Sequence, residues 1–257
     1  EGSGAVTITS ASTAADAIVI IGNASASATA SALTAGVGDR GPGASNVPYN
    51  TISTTAGGGI SVTGYGQTLG TPAATYAWDP TPGSEGIYLF GTRFSVTGGA
   101  GDVSLIGATS VYGKGGGVYA GNISTLGNLS VTAASGWLAM MGTNTAVRMT
   151  FLAGGGFSTP LNSTSFTVTG AGQPFLISSR YLGGVDGNIQ WRHGTTVTTN
   201  GGAITLGGGD AQGSGYALSN GTTQGTKAVG FDGFRSWGAV TLTSNGGDIT
   251  IRGASTS

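Results

Sequence analysis

The sequence predicts an all-β fold of stacked parallel strands, a solenoid with loop insertions. Three observations carry this reading. A short phrase recurs along the chain: glycine, one small or polar residue, then an aliphatic–polar–aliphatic alternation. Glycine supplies 52 of the 257 residues, while charged residues make up 7%. Apolar residues recur at i and i+2, with no sustained helical period. A strand this short cannot bury its apolar face alone, so many similar copies imply neighbours stacked on a shared core.

The copies of the phrase set the first eight elements. They are Gly4-Ala5-Val6-Thr7-Ile8, Gly59-Ile60-Ser61-Val62, Gly101-Asp102-Val103-Ser104-Leu105 and Gly127-Asn128-Leu129-Ser130-Val131. The phrase returns as Gly187-Asn188-Ile189-Gln190-Trp191, Gly202-Ala203-Ile204-Thr205-Leu206, Gly238-Ala239-Val240-Thr241-Leu242 and Gly247-Asp248-Ile249-Thr250-Ile251. Each is a turn residue followed by a period-two strand. Ala17 to Ile21 has the length of a buried strand. Further strands are expected at residues 87–90, 93–97, 117–119, 137–140, 147–152, 165–169, 174–178 and 195–199. The alanine-rich stretch 24–35 reads as irregular or strand, because interleaved Ser and Thr weaken a helix.

Three segments break the rhythm and are expected to loop out: 36–50, 70–86 and 207–230. The first two hold five of the seven prolines, Pro42, Pro48, Pro72, Pro80 and Pro82, which cannot donate to a ladder. The third is mostly glycine with small polar residues. No composition shift marks a second domain, so residues 1–257 read as one segment. At roughly 20–25 residues per turn and a rise of about 4.8 Å, the chain would make about 10–13 turns over about 50–60 Å.

Composition excludes several classes. Ordinary globular proteins carry about 25% charged residues and about 7% glycine. With 38% hydrophobic residues and a net charge of −1, the chain lacks the signature of disorder. Stacked parallel strands explain the scarcity of charge, since equivalent side chains sit about 4.8 Å apart and like charges would repel. Nine basic and ten acidic residues, thinly spread, leave no footprint for nucleic acid. No cysteine is present, so disulfides and thiolate metal sites are excluded. No apolar run approaches the roughly 18 residues of a membrane-spanning helix. The chain opens at Glu1, which reads as a processed product or an excerpt, and Gly4–Ser10 is nearly repeated by Gly238–Ser244.

One family resemblance follows from particular passages. Gly86-Ile87-Tyr88-Leu89-Phe90-Gly91-Thr92-Arg93-Phe94-Ser95-Val96-Thr97, continued by Gly101 to Ser110, resembles the repeats of filamentous-haemagglutinin-like exoproteins. A second copy begins at Gly117-Val118-Tyr119 and runs through Gly127-Asn128-Leu129-Ser130-Val131-Thr132, and a third spans Gly238 to Gly253. The resemblance covers about half the chain. It implies a right-handed parallel β-helix and a place in a large bacterial surface adhesin exported by two-partner secretion. An outer-membrane transporter during export is implied with it. The export-signalling domain of that family is not recognisable in this chain.

An enzyme on such a scaffold needs paired acids or an acid with a base. Asp186 with Arg192 and His193 is the only acid–base cluster near a strand. Asp102 and Asp248 stand in the turn before a strand, where aspartate accepts backbone hydrogen bonds. Gly98 to Leu105 approaches a calcium-binding nonapeptide but lacks a spacer and a tandem copy. Gly113-Lys114-Gly115 lacks the spacing of a phosphate loop. Asn23, Asn122, Asn128, Asn162 and Asn220 begin sequons that this Ser/Thr-rich composition produces by chance. Trp137, Trp191 and Trp237 are assigned to core or turn positions.

These readings converge on a non-catalytic, cofactor-free structural segment of a secreted adhesin or extracellular fibre at a bacterial cell surface. Its expected partners are further β-helix of the same protein, or other copies end to end, and host-cell or matrix glycans. Tyr76, Trp78 and Asp79, in a proline-rich loop, are the candidates for ligand contact, with packing of that loop as the blander role. The alternatives are a polysaccharide-degrading β-helix enzyme and an ice-binding solenoid. The latter needs threonines at one offset in every turn, and in the sequence they drift.

Overall fold

The computed structural model describes residues 6–11, 18–19, 50–66, 87–89, 92–109, 116–160, 163–182, 187–191, 194–219 and 233–255. Within them the protein is all-β, with 24 strands and no helix. The first sheet has eight strands, in spatial order Val6–Ala11, Ile60–Gly66, Val103–Thr109, Asn128–Ala133, Arg148–Ala153, Phe175–Ser179, Ile204–Gly208 and Ile249–Ile251. The second has seven: Ile18–Val19, Ile87–Tyr88, Gly116–Gly121, Trp137–Met141, Phe157–Thr159, Ile189–Trp191 and Phe234–Ser236. The third also has seven: Asn50–Thr54, Thr92–Val96, Ile123–Ser124, Thr143–Ala146, Ser165–Ala171, Thr195–Asn200 and Val240–Thr243. A two-stranded sheet joins Ala217–Ser219 to Gly253–Ser255.

Every strand pairing is parallel. Among the described residues antiparallel contact is confined to two isolated bridges, Gly187 with Leu218 and Gly208 with Gly215. The chain visits the first, second and third sheets in rotation, so strands through Phe175–Ser179 pair with the strand three places on; from Ile189–Trp191 onward the partner is four places on, because Ala217–Ser219 is inserted outside the three sheets. Short turns alone could not join parallel neighbours; here the intervening strands of the other sheets make the connection.

Registers turn the period-two phrase into columns of stacked side chains. In the first sheet one buried column runs Ile60, Val103, Leu129, Met149, Phe175, Ile204. A second runs Val62, Leu105, Val131, Phe151, Ile177, Leu206. A third is small throughout: Gly64, Gly107, Ala133, Ala153, Ser179, Gly208. It lies where the first sheet meets the second, and a Cβ on Gly107 would overlap the Gly117 carbonyl. Residues from all three sheets share one core. Phe151 of the first sheet packs on Phe157 of the second at 5.6 Å, on Phe166 of the third at 5.4 Å and on Phe175 at 5.6 Å. Burying side chains of this size stabilises by about 1.5–3 kcal/mol each.

Four turns from the second sheet to the third carry a left-handed residue: Asn122 (φ 56°), Gly142 (φ 64°), Ser163 (φ 61°) and Gly194 (φ 72°). Asparagine, serine and glycine occupy these positions because bulkier residues resist positive φ.

Several expectations are corrected. The step between stacked neighbours of the first sheet ranges from 20 residues (Leu129 to Met149) to 54 (Val6 to Ile60). Among the described residues that sheet holds eight strands, against the 10–13 turns expected; at a spacing of about 4.8 Å these eight span about 34 Å. Segment 207–230 is not simply a loop, since Gly207 and Gly208 end a strand and Ala217–Ser219 forms another. Asn50 likewise begins a strand. The rest of 36–50, all of 70–86, residues 220–230 and the alanine-rich stretch 24–35 lie outside the described residues. The near-identical phrases Gly4–Ser10 and Gly238–Ser244 place their strands in different sheets, the first and the third. Their likeness reflects strand chemistry, not equivalent position.

Candidate functional site

The proposed contact residues Tyr76, Trp78 and Asp79 lie outside the described residues, as do Asp186, Arg192 and His193. Among the described residues no group of three or more His, Asp or Glu side chains is placed to hold a metal ion. No helix among them is long and apolar enough to cross a membrane. The surfaces that remain are built from turns, outward columns and sheet edges.

Asp102 accepts hydrogen bonds from the Asn128 N–H (2.7 Å) and the Asn128 Nδ2 (3.1 Å). The expected backbone acceptor role is present, but the partner belongs to the next strand of the sheet rather than to Asp102's own turn. Gly127 permits this, because a Cβ there would stand 2.6 Å from Asp102 Oδ1. Asp210 makes a local turn: Oδ1 accepts from the N–H groups of Gln212 (3.0 Å) and Ser214 (2.9 Å), and Oδ2 accepts from the Ser214 hydroxyl. The Ser214 side-chain hydrogen bond, followed by the backbone ones, lowers the Asp210 pKa below the usual aspartate value.

The turn from the third sheet to the first carries a ladder that sequence reading missed. The Thr97, Thr125, Thr169 and Thr199 hydroxyls donate to the carbonyls of Thr54, Gly101, Ala146 and Ser244. The Asn200 and Asn245 side-chain amides donate to the carbonyls of Thr169 (3.1 Å) and Thr199 (2.6 Å). Each bond links residues of neighbouring turns of the stack; the Thr54 and Ser244 carbonyls accept a backbone N–H as well, from Thr97 and Gly201. Threonine or asparagine near the end of a strand is the only signal, and it is too common in this chain to stand out.

The third sheet also contradicts the drift of threonines. In register, Thr143, Ser165, Thr196 and Thr241 form one outward column. Ser95, Ser124, Thr145, Thr167, Thr198 and Thr243 form the next. All are half-buried or exposed. Unequal turns hide this order in the sequence.

The second sheet departs from the alternating pattern. Asn188 and Gln190 are both buried, and Gln190 Nε2 donates to Asn188 Oδ1 (3.2 Å). Its outward column Tyr119, Ala139, Ser158, Gln190 is buried throughout, with the Ser158 hydroxyl unpartnered. Trp137 and Trp191 are buried, Trp191 edge-to-face with Phe234 at 5.5 Å, whereas Trp237 stacks under Arg235 at 4.8 Å in a turn. Compared with protein-family models, with curated proteins and with solved structures, the chain matches none of them.

Proposed function

We propose that the three sheets are the walls of a right-handed parallel β-helix, and that the chain is a non-catalytic structural segment of a secreted bacterial surface adhesin or extracellular fibre. Parallel crossovers in one sheet are right-handed in nearly all proteins, which supplies the hand. One observation carries the reading: the inward columns from Ile60 to Ile249 and from Val62 to Ile251 stay aliphatic or aromatic while sequence spacing varies from 20 to 45 residues. The stack is therefore conserved in its interior and indifferent to what its turns carry, as an extensible rod requires. Glycan contact is assigned to Tyr76, Trp78 and Asp79, the candidates that the sequence offers.

Electron microscopy of the native material tests this directly. Extended filaments are expected; isolated compact particles overturn the fibre reading. Depolymerisation assays on neutral and acidic polysaccharides test the enzyme rival, which predicts turnover that disappears in Asp186→Ala.

A second reading has one observation in its favour. The paired hydroxyl columns on the third sheet form a regular array of the kind that could template ordered water, the ice-binding alternative. Thermal hysteresis that is lost in Thr167→Lys would support it; freezing-point behaviour equal to that of an inert protein removes it.

A further inference from the structure

We propose that the edge formed by Ile249–Ile251, Val240–Thr243 and Phe234–Ser236 docks a second copy of this chain, which seats its own Val6–Ala11 edge there, so that copies stack head to tail. The proposal rests on the β-helix reading above.

The columns point to it. Ile204 and Leu206 are fully buried, whereas Ile249 and Ile251, their register partners at the same two column positions, are 45% and 46% exposed. Phe234, Val240 and Leu242 on the adjoining edges are only partly buried. Among the described residues no strand pairs with the far side of Ile249–Ile251. Edge strands are ordinarily blunted by charge, proline or a bulge. Ile249-Thr250-Ile251 has none of these. The flanking Arg252 is turned onto its own chain, its guanidinium donating to the Gly213 carbonyl at 3.3 Å.

The opposite edge identifies the occupant. Val6 pairs with Ile60 and Ile8 with Val62, so Val6 and Ile8 stand at the heads of the two columns that end in Ile249 and Ile251. Every strand-to-strand pairing among the described residues is parallel, so a copy translated along the stack offers Val6–Ala11 in the right direction and register. The second and third sheets end there in Ile18–Val19 and Asn50–Thr54, in the same rotation as at the other edge. A second copy therefore matches all three sheets at once. The contact is heterologous and leaves a free edge on each end of the pair, so it propagates rather than closes.

Sedimentation velocity and negative-stain microscopy of the purified chain across a concentration series test the proposal. A concentration-dependent ladder of elongated multiples is expected. Ile251→Lys and Ile8→Lys should each lose every species above the monomer. An equal mixture of the two should restore a dimer and stop there, because one variant keeps an intact first edge and the other an intact last edge. Ile249→Glu repeats the test should Ile251→Lys fail to fold, as judged by circular dichroism. A wild-type chain that stays monomeric at every concentration, or multiples that survive in the variants, overturns the proposal. Filaments of native material with a monomeric isolated chain would leave the fibre reading standing while removing the second copy; compact native particles would remove the fibre reading itself.

Discussion

Asn144 shows how single residues set this interior. It occupies an inward column of the third sheet that otherwise holds Ile52, Phe94, Ile123, Phe166, Val197 and Leu242. Fully buried, it donates to the Met141 carbonyl (3.0 Å) and accepts from the Ile123 N–H (3.4 Å). Asn144→Leu fits the column but takes the side-chain acceptor from the Ile123 N–H, while the Met141 carbonyl keeps the Asn122 N–H, so a loss of about 1–3 kcal/mol is expected in urea unfolding. Phe151→Ala removes the ring where three sheets meet and should cost about 3–5 kcal/mol by the same measurement. Two left-handed glycines separate strain from crowding. A Cβ at Gly172 meets nothing within 4 Å, whereas one at Gly142 overlaps Asn122 Oδ1. Gly172→Ala should cost about 1–2 kcal/mol of backbone strain, and Gly142→Ala clearly more. At Asp210 the hydrogen bonds favour the carboxylate, so the folded pKa lies below the unfolded one. Their contribution is present above about pH 3.9, the usual aspartate value, and is lost as pH falls through the lower folded value. Amide exchange at Ser214 should accelerate in that acid window, and Asp210→Asn should abolish the pH dependence.

At the scale of elements, the repeated phrase marked strands reliably. All eight copies are strands, as are the segments near 87, 93, 117, 137, 148, 165, 175 and 195. The strands that went unread are Asn50–Thr54, Ile123–Ser124, Thr143–Ala146, Phe157–Thr159, Ala217–Ser219, Phe234–Ser236 and Gly253–Ser255. Most are two to four residues long, shorter than one period of any recognisable alternation. Thr143–Ala146 is polar besides, its buried positions being Asn144 and Ala146. The outward hydroxyl column makes a testable claim about charge. A lysine at Thr167 alone should change stability by less than about 0.5 kcal/mol. Lysines at Thr145, Thr167 and Thr198 together stack like charges on adjacent strands, and should destabilise by more than three times the single change. Added salt should recover much of that loss, and glutamate in place of the middle lysine should recover it at low salt.

Across the whole molecule, burial is graded along the stack. The first sheet is fully buried at its inward positions from Ile60 to Leu206, and opens at Ile249 and Ile251. Local unfolding follows such gradients, so amide exchange should be slowest near Met149 to Ile177 and fastest in 240–251, read by mass spectrometry on peptides. Of the candidate site, little was legible. The sequence pointed to loop aromatics and to turn aspartates; of these Asp102 and Asp248 fall among the described residues, and the Asp102 carboxylate is bonded across strands rather than within its turn. The hydroxyl columns and the threonine–asparagine ladder were invisible because their members lie 21 to 46 residues apart in the chain.

What the sequence determined by itself is local: glycine punctuation and aliphatic alternation make short strands with an apolar face, and few charges let those strands lie side by side. Alternation has a period of two and says which face is hidden, but it carries no count of the residues between one strand and its neighbour. Register, the rotation among three sheets and the columns of Thr and Phe follow instead from backbone pairing between distant strands. Turns of 20 or 54 residues satisfy that pairing equally well, so only the tertiary structure could decide which strands meet.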